Sequence, residues 1–335
     1  MKPVIFGIAG ATLSSDEAEF FRRVEPAGYI LFKRNCVDPA QMRALTDALR
    51  DLHGRDDVLI MIDQEGGRVA RMQPPVWPAF PAGGAFDPLY DRAPVSAIEA
   101  ARANAHALAL MLRDVGVNVD AAPMLDVRMD GASDIVGDRA LGSDPMQVAA
   151  LGRAMLDGLR KGGVVGIVKH MPGHGRALVD SHHHLPVVDA SAQELERDIA
   201  PFRTLRNAPM GMTSHIVYTA WDAEQPASRS PIVIDRIIRG EIGFDGLLMS
   251  DDLDMKALSG AVPDRAAAVV AAGCDLALNC WARMDEMQGI VAALPDIGDK
   301  ARERLDRAMA TVAGFQPGDD MAALLAKRDA LLALA

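Results

Sequence analysis

The chain of 335 residues is long enough for one α/β barrel domain or two ordinary domains, and its 50% hydrophobic and 24% charged residues are typical of a globular protein. Its net charge of −11 is accompanied by no local basic patch, so nucleic acid is not an expected partner. Three cysteines (Cys36, Cys274 and Cys280) are too few for a disulfide framework and fit no zinc module, which favours a reducing compartment.

The N-terminal residues predict a buried strand rather than a targeting segment. One lysine precedes the apolar run of residues 3–9, but Pro3 and the acidic stretch after Ser15 do not suit a signal peptide. Ser14 and Ser15 are candidate caps of the next helix. No run of about 18 apolar residues occurs, so we expect no membrane partner and a cytoplasmic protein.

Short apolar runs alternate with amphipathic stretches along the rest of the chain. The apolar runs, each a predicted strand, are Val4–Ile8, Tyr29–Phe32, Val58–Ile62, Val117–Ala122, Val164–Val168, Met210–Thr213, Leu247–Met249 and Leu276–Leu278. The predicted helices include Pro39–Leu52, Ser96–Val115, Pro145–Lys161, Ala192–Leu205 and Pro263–Ala272. This alternation predicts a parallel sheet, and eight units suit a (β/α)8 TIM-type barrel.

The tail from about Lys300 to Ala335 predicts two further helices with no linker before them. The chain has no low-complexity segment and no sharp change in composition. We therefore expect residues 1–335 to form a single catalytic barrel domain with extra C-terminal helices from about residue 300.

Polar side chains follow most of the predicted strands. They are Lys33, Arg34, Asp63, Gln64, Glu65, Asp120, Lys169, His170, His215, Ser250, Asp251, Asp252 and Asn279. The carboxyl ends of parallel strands meet at one rim of a barrel, where active sites are built. The sequence therefore predicts an active site at this rim.

The segment Lys169–Pro186, KHMPGHGRALVDSHHHLP, holds five of the eight histidines and directly follows a predicted strand. Asp180 and His182 are two residues apart and would face the same side of an extended segment. Asp180 is then placed to fix the tautomer of His182 and to raise its pKa, which suits proton donation near pH 7. An ordinary loop salt bridge explains the spacing equally well.

The same histidines raise the question of a metal site. A proline and two glycines prevent a helix after Lys169, so His170 and His174 do not form a metal-binding pair on a helix face. The cluster His182–His184 has no defined ligand spacing, which makes a metal site the less favoured alternative. We expect no metal and no other cofactor. The sequence does not assign roles to His174, His215 or the last two histidines of the cluster.

A second constellation, residues 249–255, ends a buried strand in three acids. A carboxylate that points into the barrel mouth there lies across from the loop after the fifth strand, and a carboxylate opposite a proton donor suits displacement at an acetal carbon. Charge alone does not choose between Asp251 and Asp252. Asp252 and Asp254 have an alternative role as caps of a helix predicted to start near Met255.

The third constellation is the run of residues 62–71, IDQEGGRVAR. Asp63 ends a strand, and the paired glycines allow a tight turn that returns Arg68 or Arg71 toward the rim. A carboxylate accepts hydrogen bonds from sugar hydroxyls, and a guanidinium donates to hydroxyl or carbonyl oxygens. The alternative is a buried ion pair that only orders the loop, and this is the favoured interpretation for Glu65 and Arg68.

Together these segments resemble the β-N-acetylglucosaminidases of glycoside hydrolase family 3, in particular the bacterial single-domain enzymes of peptidoglycan recycling. The matching motifs are IDQEGGRVAR (62–71), VGDRALG (136–142), KHMPGHG…DSHHHLP (169–186), MTSHIVY (212–218) and MSDDLDM (249–255), which occur in family order. Met171 stands where the family usually has phenylalanine, and Asp254 replaces the more usual serine.

The resemblance implies roles for these residues. Asp251 is the implied nucleophile, and His182, oriented by Asp180, is the implied general acid/base in a two-step retaining hydrolysis. The implied sugar-binding residues are Asp63, Arg71, Arg139, Lys169 and His170. The implied substrate is a saccharide or muropeptide that carries terminal N-acetylglucosamine on 1,6-anhydro-N-acetylmuramic acid.

Three other functions stay open from the sequence. A glycoside phosphorylase on the same scaffold is the nearest, because a histidine acid/base avoids the repulsion that a carboxylate imposes on phosphate. A metal-dependent hydrolase and a non-catalytic sugar-binding protein are more distant, and the second of these has no use for Asp251 together with His182. The oligomeric state cannot be read from the sequence.

Overall fold

A computed structural model of the protein describes residues 1–316 and 318–335. Its centre is a closed barrel of eight parallel strands: β1 (Lys2–Gly7), β2 (Pro26–Leu31), β3 (Leu59–Ile62), β4 (Val119–Asp120), β5 (Val165–Met171), β6 (Met210–Thr213), β7 (Leu247–Asp252) and β8 (Leu276–Asn279). Each strand pairs with its neighbours in the chain, and β8 closes on β1 where Ala277 lies opposite Val4. The predicted (β/α)8 barrel is confirmed, with all eight strands where apolar runs predict them.

Helices surround the barrel. Those of the described residues are α1 (Ser15–Val24), α2 (Pro39–His53), α3 (Asp87–Arg92), α4 (Pro94–Asp114), α5 (Pro145–Lys161), α6 (Ala192–Thr204), a π-helix (Val233–Glu241), α7 (Val262–Ala272), α8 (Met284–Ala293), α9 (Asp299–Ala310) and α10 (Met321–Leu332). The start of α1 follows from its sequence, because the Ser14 side chain accepts from the Glu17 backbone while the Glu17 carboxylate accepts from the Ser14 backbone.

Side chains that alternate along the strands form two apolar layers. Ile5, Ile30 and Met61 belong to the cluster inside the barrel, whereas Val4 and Phe6 belong to the larger cluster between the strands and the helices. Strands that are apolar on both faces are typical of such barrels. The polar residues are consequently left to the strand ends.

The last two helices pack against the barrel domain. Arg304 of α9 forms a buried ion pair with Asp275 (2.9 Å), and Arg328 of α10 donates a hydrogen bond to Asn104 of α4 (3.1 Å). No helix of the described part of the chain combines the length and apolarity needed to cross a membrane.

Two local predictions are wrong. No helix starts near Met255; residues 253–258 form turns, and the next helix, α7, starts at Val262. The side chain of Asp252 instead accepts hydrogen bonds from the backbone of Asp254 (3.1 Å) and of Cys280 (3.3 Å), which holds this segment as a turn against β8. Residues 181–184 are likewise a turn rather than an extended segment.

Candidate active site

The carboxyl ends of the strands surround a cavity of about 220 Å³. Its charged and titratable lining residues are Asp63, Glu65, Arg68, Arg71, Arg139, Lys169, His170, His174, His182, Asp251, Asp252 and Cys280. Seven of the eight residues predicted for the site are therefore brought to one cavity, although they come from four separate segments. The eighth, Asp180, contacts His182 from outside the lining.

A tight hairpin brings Asp63 and Arg71 together. Gly66 and Gly67 have φ values of +105° and +55°, which residues with a side chain rarely adopt, and the chain reverses at this point. Arg71 Nη2 then lies 2.9 Å from Asp63 Oδ2. Arg68, on the same hairpin, pairs with Asp138 instead (2.9 Å) and so ties the hairpin to the loop that carries Arg139.

Glu65 lies at the centre of the cationic side of the cavity. Its carboxylate accepts two hydrogen bonds from Arg139, at 2.7 and 2.9 Å, and pairs with Lys169 Nζ at 2.7 Å. Lys169 also lies 3.3 Å from Asp63. Glu65 therefore orients two predicted sugar-binding residues, which agrees with the structural role that the sequence favoured for it.

The charges of this cluster support one another. Although burial opposes ionisation, Lys169 and Arg71 lower the pKa of Asp63. Lys169 and Arg139 likewise hold the pKa of Glu65 far below its usual range against the effect of burial. Burial disfavours the charge on Lys169, but the two carboxylates raise its pKa. Three cations and two anions are thus fixed in place, which is a rigid donor and acceptor set for hydroxyl and amide groups.

Asp126, which the sequence analysis did not single out, holds two histidines of the site. Its Oδ2 lies 2.7 Å from His170 Nδ1, and its Oδ1 accepts from the backbone of His174 at 2.6 Å. Asp126 is fully buried; burial opposes its ionisation, but His170 lowers its pKa. A signal was present in the sequence, because Asp126 follows the fourth predicted strand by four residues.

Asp251 lies near the end of β7 and faces the cavity. Burial opposes its ionisation, but His170 and His215 lower its pKa, and the backbone of Asp252 donates to Asp251 Oδ1 at 2.8 Å. His182 contributes to the same lowering, so the two residues are electrostatically coupled. A carboxylate kept ionised in a largely buried position is suited to act as a nucleophile.

Asp252 has the opposite environment. Burial, followed by repulsion from Asp254, raises its pKa to about 7. Two adjacent carboxyl groups whose surroundings push their pKa values apart are suited to different tasks. The two acids thus differ in environment: His170 and His215 lower the pKa of Asp251 against the effect of burial, whereas burial and Asp254 raise that of Asp252. This difference fits the role that the family resemblance implies for Asp251.

The Asp180–His182 contact forms within a single turn. Asp180 Oδ1 accepts from the His182 backbone at 2.8 Å and lies 2.7 Å from His182 Nδ1. Burial opposes the ionisation of Asp180, but these hydrogen bonds from His182 lower its pKa. The contact occupies Nδ1 and leaves Nε2 of the imidazole for proton transfer. His183 and His184 are exposed and do not line the cavity.

The turn that carries His182 rests on the segment after the Asp251 strand. The backbone of Ala257 donates to Ser181 O (3.3 Å), and that of Lys256 donates to His182 O (3.4 Å). The base of the same loop passes very close to Val127, since a Cβ at Gly175 would collide with the Val127 carbonyl oxygen. The proton-donor loop and the carboxylate strand are therefore connected directly through the backbone.

The other strand-end residues do not reach the cavity. His215 is fully buried, with Nδ1 2.7 Å from Ser228 Oγ and Nε2 3.0 Å from Asp252 O, so it supports the backbone next to Asp251. Asp120 and Asn279 are fully buried as well. Within residues 1–316 and 318–335, no three His, Cys, Asp or Glu side chains are grouped to hold a metal ion.

An ionised carboxylate on the cavity and a histidine held by an aspartate, beside fixed donors and acceptors at the carboxyl mouth of a (β/α)8 barrel, are groups that suit a glycoside hydrolase. The model of the glycosyl hydrolase family 3 N-terminal domain matches residues 7–314. The chain belongs to glycosyl hydrolase family 3.

Relatives and solved structures agree with this assignment. The β-hexosaminidase of Alkalilimnicola ehrlichii is 39% identical over 91% of this chain and 88% of its own length, and that of Bordetella avium is 37% identical over 90% and 84%. The crystal structure of NagZ from Neisseria gonorrhoeae in complex with N-trifluoroacetyl-D-glucosamine superposes with a TM-score of 0.86. Its sequence is 31% identical, and the match covers 100% of this chain and 98% of that one.

Proposed function

We propose that the protein is a retaining β-N-acetylhexosaminidase that removes terminal β-linked N-acetylglucosamine, with Asp251 as nucleophile and His182 as general acid/base. The observation that carries the proposal is the placement of Asp251, with a lowered pKa, on the cavity that His182 also lines. The β-hexosaminidases among the relatives and the N-acylated glucosamine in the gonococcal structure support the sugar assignment.

In the first step Asp251 attacks the anomeric carbon, and the bond to the leaving oxygen breaks as His182 protonates that oxygen. The product is a covalent glycosyl-enzyme ester on Asp251. The hydrogen bond from Nδ1 to Asp180 fixes the tautomer so that Nε2 carries the transferred proton.

In the second step His182 removes a proton from water as the water attacks the anomeric carbon. Asp251 leaves as a carboxylate, and N-acetylglucosamine is released with its configuration retained. The proton taken from water replaces the one that left with the leaving group, and both residues return to their starting states.

The cationic side of the cavity would bind the sugar. Asp63 and Arg71 form one donor–acceptor pair, while Lys169 and Arg139 are oriented by Glu65. His170 is held by Asp126. Hydrogen bonds from such fixed groups favour a single orientation of the bound sugar. We assign substrate binding to Asp63, Arg71, Arg139, Lys169 and His170.

For the natural substrate we propose N-acetylglucosamine linked to 1,6-anhydro-N-acetylmuramic acid, with or without peptide, in the recycling of cell-wall fragments in the cytoplasm. This finer assignment rests on the family motifs of the sequence. Residues 1–335 would act as one catalytic unit, since α9 and α10 pack against the barrel domain through buried contacts.

Product analysis tests this function. The enzyme should release free N-acetylglucosamine from the disaccharide N-acetylglucosaminyl-1,6-anhydro-N-acetylmuramic acid at the same rate with and without inorganic phosphate. A rate that depends on phosphate, with N-acetylglucosamine 1-phosphate as product, would identify a phosphorylase instead. Binding of the disaccharide without turnover would identify a sugar-binding protein.

A further inference from the structure

The segment after β8 carries an exposed tryptophan next to the cavity. Trp281 is 54% exposed, whereas the preceding residue, Cys280, is buried and lines the cavity. The mechanism above makes no use of Trp281. A large aromatic side chain that is half in solvent, one residue along the chain from the cavity lining, is a candidate binding surface for a saccharide.

The side chain of Asp254 binds two residues that are close to this tryptophan in the chain. It is 4% exposed, accepts a hydrogen bond from Asn279 Nδ2 at 2.8 Å and forms an ion pair with Arg283. Arg283 is held on its other side by Glu286, at 2.8 Å. The residues two positions before and two positions after Trp281 are therefore both held by one buried carboxylate.

Arg283 supports the indole itself. Its guanidinium carbon lies 5.8 Å from the ring centroid, within the range of a cation–π contact. More than half of the Trp281 surface nevertheless stays in solvent, so aromatic surface is available to a ligand. The C–H face of a pyranose ring is apolar and packs well on such a surface. Glu286 and Asp254 already compensate Arg283, so its charge is not available for an anionic ligand.

We propose that Trp281 is a stacking platform for the sugar ring on the leaving-group side of the scissile bond, braced by Arg283 and Asp254. The inference rests on the proposed function. It predicts recognition of a neutral pyranose ring as such, rather than of a carboxylate on that ring. A leaving group without a ring, such as methanol, would gain nothing from the platform.

Binding to an inactive enzyme tests the platform without requiring turnover. In an Asp251→Asn background, titration calorimetry compares N,N′-diacetylchitobiose with N-acetylglucosamine, before and after Trp281→Ala. We expect Trp281→Ala to weaken chitobiose binding about tenfold, as for other aromatic stacking contacts. Binding of N-acetylglucosamine should stay within about twofold, which also shows that the variant is folded. Trp281→Phe should keep most of the chitobiose affinity.

An unchanged ratio of the two dissociation constants would overturn the platform, and so would an equal loss for both sugars. Failure of the proposed function is seen separately, as hydrolysis of chitobiose by the Asp251→Asn enzyme. With the parent enzyme, kcat/KM for chitobiose should likewise fall after Trp281→Ala, whereas kcat/KM for methyl β-N-acetylglucosaminide should not.

A different observation concerns His174, which lines the cavity but has no part in the mechanism above. Its Nε2 lies 3.1 Å from Ser181 Oγ, and both residues are at most 3% exposed. Ser181 is the residue between Asp180 and His182. The backbone of His174 is in turn fixed by Asp126. A continuous chain of contacts thus runs from the base of the loop to the residue next to the proton donor.

The state of the His174 ring suits a structural contact rather than proton transfer. Burial, followed by the neighbouring His170, lowers the pKa of His174 to about 4, so the ring is neutral near pH 7. Its Nδ1 is buried without a hydrogen-bond partner among the described residues. The tautomer with its proton on Nε2 donates to Ser181 and leaves only a lone pair unpaired.

We infer, as a second proposal, that His174 is a positioning residue that holds the His182 loop over the cavity through Ser181. It also rests on the proposed role of His182. If the His174–Ser181 contact acts only by positioning the loop, its loss should partly reproduce the loss of acid catalysis by His182. The rate of the first step should then depend more steeply on the pKa of the leaving group.

A double-mutant cycle with His174→Leu and Ser181→Ala tests this contact. We expect each single variant to lower kcat/KM about tenfold on chitobiose and less on an activated phenyl glycoside. The double variant should be no slower than the slower single one, and His174→Gln, which can still donate to Ser181, should recover most of the rate. Additive losses in the double variant would overturn the proposal, since they would show that His174 and Ser181 act independently. Equal losses on both substrates would also overturn it, since a general loss of folded protein gives that result.

Discussion

His182 Nδ1 lies 2.7 Å from Asp180 Oδ1, and this pair is carried on a turn that also hydrogen bonds to the segment after the Asp251 strand. The contact is local, since both hydrogen bonds to Asp180 come from a residue two positions later. The approach of this turn to Asp251 is not local, because 69 residues separate Asp251 from His182 in the chain. The proposed reaction needs both the Asp180–His182 contact and the approach of His182 to Asp251.

Replacement of His182 by alanine should affect leaving groups unequally. With chitobiose, kcat/KM should fall by at least about 100-fold, the usual contribution of general acid catalysis. With 2,4-dinitrophenyl β-N-acetylglucosaminide, whose phenol leaves without a proton, the rate of the first step should fall less than about tenfold. Burst kinetics separates that step from release of the sugar. The exposed His183→Ala, with both rates nearly unchanged, is the matched control; equal losses on both substrates in His182→Ala would argue against the acid role.

Asp180 should act through His182. Asp180→Ala removes both hydrogen bonds to that residue, and we expect kcat on chitobiose to fall roughly as far as in His182→Ala. Because the two residues form one unit, the double variant should be no slower than His182→Ala alone. Asp180→Asn, which keeps an acceptor oxygen, should be intermediate. Losses that multiply in the double variant would show that the two residues act independently.

Glu65 is predicted to contribute more to stability than the exposed Arg68 of the same hairpin. Glu65→Ala leaves Lys169 and Arg139 without their shared carboxylate, and loss of one partner of a buried ion pair costs about 3–5 kcal/mol. Urea denaturation should show this fall in the free energy of unfolding. Arg68→Ala, which breaks an exposed pair with Asp138, is the control and should cost less than about 1 kcal/mol. Equal effects would contradict the central position of Glu65.

The raised pKa of Asp252 predicts a pH dependence of stability. The folded protein binds this proton more tightly than the unfolded chain, whose Asp pKa is about 3.9. The stabilising effect is therefore complete below pH 4 and declines as the pH rises to about 7, the value raised by burial and by Asp254. Asp252→Asn cannot ionise. Its free energy of unfolding relative to the parent enzyme should be higher at pH 8 than at pH 5 by about 2–3 kcal/mol.

Denaturation curves at the two pH values measure this difference. The exposed Asp130→Asn has the same change of charge and should show almost no such dependence. If Asp252→Asn and Asp130→Asn responded alike, the carboxyl of Asp252 would be ionised at pH 5 in the folded protein.

The sequence was sufficient for the barrel because the strands are apolar on both faces. The predicted helix Pro145–Lys161 has the bounds of α5, and each predicted strand overlaps an observed one. The strand-end residues Asp63, Lys169, His170 and Asp251 line one cavity for a related reason, as polar groups at the carboxyl end of a barrel are expected to converge. The prediction near Met255 failed because Asp252 uses its carboxylate for backbone groups of Asp254 and Cys280 rather than for a helix start.

Contacts between distant segments could not be read from the sequence. Asp126 holds His170, 44 residues later, and Glu65 pairs with Arg139, 74 residues later. Nothing in the local pattern of either acid shows which base it meets. Charge alone did not distinguish Asp251 from Asp252, and only the family resemblance implied a choice. The different environments of the two carboxyl groups could not be read from the sequence, since that of Asp251 depends on His170 and His215 from other segments.

The proposed mechanism requires a covalent bond between Asp251 and the sugar, and this intermediate can be trapped. The enzyme is incubated with a 5-fluoro-N-acetylglucosaminyl fluoride, digested, and analysed by peptide mass spectrometry. We predict one added sugar on the peptide that contains residues 247–252, with fragmentation that places it on Asp251, and no adduct in Asp251→Asn. An adduct on a different residue would rule out Asp251 as the nucleophile. Turnover of the fluoride with full retention of activity and no adduct would rule it out as well.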